Sequence, residues 1–179
     1  MGVDYARGAL AATTIGSCAL FAGGSTSNGI SGVTSVIYNS MYSTITSDLS
    51  VARFSLAATT IRGYALFGGG RNDYTDSSLS TVDAYSSSLT RTTPTALSVA
   101  RSGLAATTVG NYALFGGGLD SDGYSSTVDA YHYTNTLQIY PGSTYKFNYA
   151  IEQTTTTFKE ISVSPPINGY IKIQNTTIS

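Results

Sequence analysis

Charge is scarce in this sequence. Of 179 residues, 9 are Lys or Arg and 10 are Asp or Glu, so charged side chains are 11% of the chain and the net charge is −1. A nucleic-acid partner calls for a basic footprint that neutralises phosphates, and this balance offers none. A polybasic membrane-facing surface is excluded on the same count. Surface polarity must come from Ser, Thr and Asn, a composition suited to work outside cells. Cysteine occurs once, at Cys18, so no intrachain disulfide can form, and histidine occurs once, at His132. One imidazole is too few for a metal centre built on several, and no metal or other cofactor is expected. No run reaches the ~18 apolar residues of a membrane span. No basic segment followed by an apolar stretch marks a secretory leader, and Ala6 stands where N-myristoylation needs Ser or Thr. The expectation is a soluble chain, without nucleic-acid or membrane partners. It works on a virion or outside the cell without a signal peptide, or otherwise in the cytoplasm.

What the chain has instead is repetition. Leu10 to Gly24 reads LAATTIGSCALFAGG, Leu56 to Gly70 reads LAATTIRGYALFGGG, and Leu104 to Gly118 reads LAATTVGNYALFGGG. Each copy predicts two short strands joined by a tight turn at Gly16-Ser17, Arg62-Gly63 or Gly110-Asn111. Glycines follow the second strand, where they permit positive φ and close backbone approach. A third strand is expected at Ser35–Asn39, Thr81–Tyr85 and Thr127–Tyr131. A weaker fourth is expected near Tyr42–Thr46, Leu89–Thr93 and Thr136–Tyr140. Phe21 and Phe67 are 46 residues apart, and Phe67 and Phe115 are 48 apart. Four strands at this period mark a propeller blade.

The glycine pair, the Val-x-x-Tyr third strand and the Arg before each first strand (Arg7, Arg53, Arg101) resemble the kelch repeat over roughly residues 6–140. Two departures stand out. There is no Trp for the fourth strand, and Ala9, Ser55 and Gly103 stand where the pattern has His. The near-identity of the copies and their Ser and Thr content are also similar to repeat arrays in phage and prophage structural proteins. The fold expected is all-β: three four-stranded antiparallel blades (about 6–50, 51–98 and 99–140, together 1–140) plus a small C-terminal β segment, 141–179. Pro141-Gly142 opens that segment, with strands expected at Tyr145–Ile151, Phe158–Val163 and Gly169–Gln174. The first strands carry small residues that suit an innermost position. Leu20, Phe21, Leu66, Phe67, Leu114 and Phe115, with Val36, Val82 and Val128, should fill the space between blades, and the three Phe should occupy equivalent buried sites. Cys18 is read as a core residue in the place of Tyr64 and Tyr112.

Candidate chemistry is thin. The glycine runs lack the Lys-Ser/Thr and helix of a phosphate loop. Asp129-x-x-His132 could form an acid–base pair, but Asp129 has its repeat partner in Asp83, which has no His nearby, so both Asp read as structural acceptors. Asp120-x-Asp122-Gly123 resembles the opening of a calcium loop, but Tyr131 stands where the closing Glu belongs, and turn chemistry accounts for it. The chain is therefore expected not to be an enzyme. The loops after the second strands differ between copies while the strands do not, and variable loops on a rigid frame are where binding resides. The candidate ligand-binding residues are Arg71, Asn72, Asp73, Tyr74, Asp76, Asp120, Asp122 and Tyr124, with Arg53 and Arg101 near the same rim. Recurrence of Arg7, Arg53 and Arg101 points to an inter-blade structural role. The expected function is assembly or recognition, with carbohydrate binding through Tyr74 and Tyr124 as the first alternative and a kelch-fold enzyme as the second, disfavoured one. Three blades are fewer than a closed propeller has, so a homo-oligomer is expected, most simply a dimer completing six blades. Closure by the tail ranks second and stacking on a different protein third.

Overall fold

A computed structural model describes residues 6–73, 77–132, 137–139 and 171–173. The protein is all-β, with no helix among the described residues. It divides into two compact units, Met1–Tyr133 and Thr134–Ser179, so the boundary falls ahead of Pro141-Gly142.

The first unit holds the three repeats as three antiparallel sheets. The first contains β1 (Ala11–Ile15), β2 (Cys18–Ala22), β5 (Thr34–Tyr38) and β6 (Ser43–Ile45), paired in that order, and the hairpin β3 (Ser25–Thr26) and β4 (Gly29–Ile30) is inserted after β2. The second repeats the plan with β7 (Ala57–Ile61), β8 (Tyr64–Gly68), β11 (Val82–Ser86) and β12 (Arg91–Thr92), and with the hairpin β9 (Arg71–Asn72) and β10 (Ser77–Ser78). The third has β13 (Ala105–Val109), β14 (Tyr112–Gly116) and β17 (Val128–His132), with the hairpin β15 (Leu119–Asp120) and β16 (Gly123–Tyr124). Register is conserved: Ala12 faces Phe21, Ala58 faces Phe67 and Ala106 faces Phe115. The tight turns are where expected, with positive φ at Gly16, Arg62, Gly63 and Gly110.

The fourth strand of the third repeat is the exception. β18 (Leu137–Ile139), inside the stretch expected to complete that sheet, pairs with β19 (Ile171–Ile173) in the second unit. Among the described residues the third sheet therefore has three strands. The strand expected at Gly169–Gln174 is present at its centre, and those expected at Tyr145–Ile151 and Phe158–Val163 lie outside the described residues.

The core lies between sheets rather than inside any one of them. Strand alternation gives each sheet two faces. One face of the first sheet (Ala11, Ile15, Leu20, Ala22, Val36) clusters with Leu56, Ala65, Phe67 and Tyr85 of the second repeat. The other face of the second sheet (Ala57, Ile61, Leu66, Val82, Ala84) clusters with Leu104, Ala113 and Phe115 of the third. Leu49 and Leu97, from the segments connecting the repeats, complete the two clusters. Phe67 meets Tyr85 edge-on at 5.8 Å, and Phe115 meets Tyr131 in the same way at 5.8 Å. The first strands run side by side, as their small residues predict. Thr13 Oγ1 lies 2.7 Å from Thr60 Oγ1, and Thr59 Oγ1 lies 2.7 Å from Thr108 Oγ1.

The three equivalent Phe are not equally buried. Phe67 and Phe115 are fully buried, whereas Phe21 is half-buried because its face of the first sheet has no neighbouring sheet among the described residues of the unit. Val128 departs further from expectation. In register its equivalents are Thr34 and Val82, both buried, but Val128 is 60% exposed, since it points from the unpaired face of the third sheet, and Leu114 is half-buried for the same reason. Cys18 is half-buried and packs against the first cluster.

Candidate functional site

Each rim hairpin is fixed by the same local chemistry. After the second strand the chain turns on a glycine pair. In the second repeat Gly69 has φ +67° and Gly70 φ +107°, conformations that L side chains avoid. A Cβ on Gly69 would stand 2.6 Å from the Arg101 carbonyl oxygen, and one on Gly70 would stand 2.9 Å from that of Phe54. The glycine runs are therefore sites of backbone packing. Beyond them, single bridges join the segment entering each first strand to the base of the hairpin: Gly8 with Ser25, Phe54 with Arg71, and Ser102 with Leu119. The hairpins thus share one rim with the lead-in segments, as the alternation of strand direction requires.

The lead-in arginines hold the frame. Arg53 and Arg101, expected near the rim, are fully buried. Arg53 donates to the carbonyls of Val51 and Phe67 and pairs with Asp83 at 2.9 Å. Arg101 donates to the carbonyls of Gly117 and Thr127 and pairs with Asp129. In the first repeat Arg7 donates to Ser35 Oγ at 2.7 Å, in the place of the carboxylate. The arginine side chains therefore act within their own sheets. Their backbones make the inter-sheet contact: the Gly24 N–H donates to the Arg53 carbonyl at 2.9 Å and the Gly70 N–H to that of Arg101 at 2.8 Å. Burial pushes the Arg53 guanidinium below its ordinary value, with Asp83 opposing the shift.

Asp83 and Asp129 act as structural acceptors. Asp83 accepts from the Ser50 N–H and hydroxyl, and from Arg91 at 3.0 Å. Asp129 accepts from the Ser98 N–H at 2.9 Å. Two residues further on, the Tyr85 hydroxyl donates to the Ser47 carbonyl and the Tyr131 hydroxyl to that of Thr95, each at 2.8 Å. The third strands of the second and third repeats thus clamp the segment leaving the previous repeat, a role that no pattern of residues signals for the tyrosines. Asp129 and His132 do not form an acid–base pair. Asp129 is taken up by Arg101 and Ser98, and the His132 ring lies 5.0 Å from that of Tyr112.

The candidate binding residues fall into distinct places. Tyr124, paired with Leu119 at the base of the third hairpin, is 95% exposed. In the same hairpin the Asp122 N–H donates to Asp120 Oδ1 at 2.9 Å, so the Asp-x-Asp-Gly run is a side-chain-capped turn. That bond, with one from the Ser125 hydroxyl, holds the Asp120 carboxyl below its ordinary value. In the second hairpin Arg71 and Asp73 form an exposed pair at 3.5 Å, a contact of little energetic weight. Asn72 donates to the Ala52 carbonyl at 3.2 Å and so helps anchor the hairpin. Tyr74 and Asp76 lie outside the described residues. The first hairpin, from which no site residue was expected, borders a concavity of about 490 Å³ lined by Ala6 and residues 26–33. Its polar stretch Thr26-Ser27-Asn28 is the sequence signal that could have pointed there.

No protein-family model matches this chain, and comparison with curated proteins finds no match.

Proposed function

We propose that this chain is a non-enzymatic recognition module, a kelch-like propeller scaffold that presents variable hairpins on one rim and serves on a virion or another extracellular assembly. The observation that carries this reading is the contrast between frame and rim. Three near-identical strand frames hold three hairpins of different sequence, each attached by the same glycine turn and the same bridge. The ionic groups of the frame are occupied with one another, which leaves the hairpins as the variable chemistry. Replacing the three hairpins with two-residue Asn-Gly turns should abolish ligand binding and leave the strand frame folded, with melting lowered by loss of the bridges at Gly8, Phe54 and Ser102. Binding that survives the replacement overturns the reading.

The saccharide version is favoured by one feature. Tyr124 offers a nearly fully exposed ring opposite the exposed Leu119, a flat apolar face on the hairpin whose sequence also carries Asp120 and Asp122. On a glycan array, Tyr124→Ala should weaken binding at least about tenfold, the scale of one lost aromatic contact. A protein partner remains the reading if the wild-type chain binds no glycan.

A further inference from the structure

The third sheet carries the docking features of the second on a face that no described residue of its unit fills. Where the second sheet meets the third, Phe115 lies over Gly68, and a Cβ there would come within 2.8 Å of the ring. Thr59 meets Thr108, the Gly70 N–H donates to the Arg101 carbonyl, and the Gly103 N–H donates to the Ser55 carbonyl at 2.8 Å. Where the first sheet meets the second, the last three contacts recur as Thr13 with Thr60, Gly24 with Arg53, and Ser55 with Ala9. The position of Gly68 is taken there by Ala22, in one cluster with Phe67.

On the third sheet the equivalent positions stand open. A Cβ at Gly116 would meet only Val128 Cγ2, at 3.4 Å, and one at Gly117 only the Ser125 carbonyl, at 3.8 Å, among the described residues. Gly117 nonetheless has a φ of +69°, close to the +67° of Gly69. Thr107 is exposed, and no described residue donates to the Gly103 carbonyl. Around these positions Val109 is 59% exposed and Tyr112 44%. A terminal repeat that faces water presents a polar outer face, and this one does not.

The first sheet carries the matching knobs on its own unpaired face. Phe21 and Thr14 are the repeat equivalents of Phe115 and Thr108. Ser35 and Ile37 stand where the other third strands have the clamping pairs Asp83 and Tyr85 or Asp129 and Tyr131. Those pairs hold the stretch that ends in Leu-Ser-Val-Ala-Arg, and at the same spacing the third repeat is followed by Ser143-Thr144-Tyr145-Lys146-Phe147 instead. The clamp is therefore missing from the one sheet that would meet a repeat without the segment to be clamped, and Ile37 makes that face more apolar.

We propose that the open face of the third sheet receives the first sheet of a second copy of this chain, with Phe21 over Gly116. Two such junctions close a ring of six sheets, the multiple of three that falls within the roughly 4–8 blades of propellers. The second copy is the occupant because it supplies these knobs, whereas residues 141–179 contain neither the Leu-Ala-Ala-Thr-Thr nor the Ala-Leu-Phe frame.

Light scattering of the full chain at micromolar concentration tests this. The wild type should have twice the mass of the 18.7 kDa chain. Gly116→Leu should have the mass of one chain with an unchanged circular dichroism spectrum, because the added side chain meets only Val128, which is exposed enough to turn away. Phe21→Ala should also be monomeric. Mixing the two variants should restore the doubled mass, since one native Phe21–Gly116 junction forms and the other pairs the larger residue with the smaller. A wild type that stays at the mass of one chain overturns the proposal and assigns the face to residues 134–179 or to a different protein. A doubled mass that persists in Phe21→Ala also overturns it, even if Gly116→Leu fails to fold. The Tyr124 hairpin is unchanged in every variant, so assembly and recognition fail separately.

Discussion

Asp83 is fully buried and accepts from Arg53, Arg91 and Ser50 at once. Removing one partner of a buried ion pair strands the other charge, at a cost of about 3–5 kcal/mol. Asp83→Ala should lower unfolding stability by that amount, as read from denaturant midpoints. The clamping tyrosines add a pH dependence. Burial pushes Tyr85 and Tyr131 from 10.0 up to about 12. The unfolded phenols ionise first, so stability is full below pH 10 and falls as pH rises from 10 through about 12. Tyr85→Phe should make that alkaline fall shallower, and a midpoint-against-pH series checks it. The recurrence of Asp83 and Asp129 made their structural role legible in the sequence. Their partners were not legible, because a backbone N–H at Ser50 or Ser98 and a carbonyl at Ser47 or Thr95 carry no residue signature. The exposed position of Tyr124 was legible, but the bond by which the Asn72 amide anchors its hairpin to the Ala52 carbonyl was not.

The five-residue strands stand where β-branched and apolar alternation placed them, and the repeat fixed their order. The two-residue strands of the hairpins were beyond reach, since pairs such as Ser25–Thr26 are too short to show a period. The fourth strand of the third repeat was misplaced because Leu137–Ile139 has strand propensity without specifying its partner, and it pairs with Ile171–Ile173. Glycine roles separate by neighbour rather than by motif. Gly69 and Gly117 have nearly the same φ, so alanine at either carries the same left-handed cost of about 1–2 kcal/mol. Only Gly69 also faces a carbonyl at 2.6 Å and a Leu104 methyl at 2.7 Å. In a Gly116→Leu background, where contact between copies cannot contribute, Gly69→Ala should cost at least about 2 kcal/mol more than Gly117→Ala, overpacking being worth about 1–3 kcal/mol. Thermal melts of the pair decide it.

At the scale of the molecule, three sheets that are thin alone become stable by burying faces against one another, so neighbours rather than sequence decide what each residue contributes. That is why Val128 and Phe21 escaped the reading of the sequence. The repeat predicts equivalence, and the ends of an array break it. The identity of a ligand was not legible because it depends on the hairpins, the part of each repeat that does not recur. The central claim is that the core lies between sheets, and the three equivalent phenylalanines test it most directly. Denaturant unfolding of Phe21→Ala, Phe67→Ala and Phe115→Ala, each in the Gly116→Leu background, should show losses of about 3–5 kcal/mol at Phe67 and Phe115, as for aromatic residues deleted from a core. The half-buried Phe21 should lose well under half as much. Equal losses at all three positions would contradict the account, because they would place the core within each sheet rather than between them.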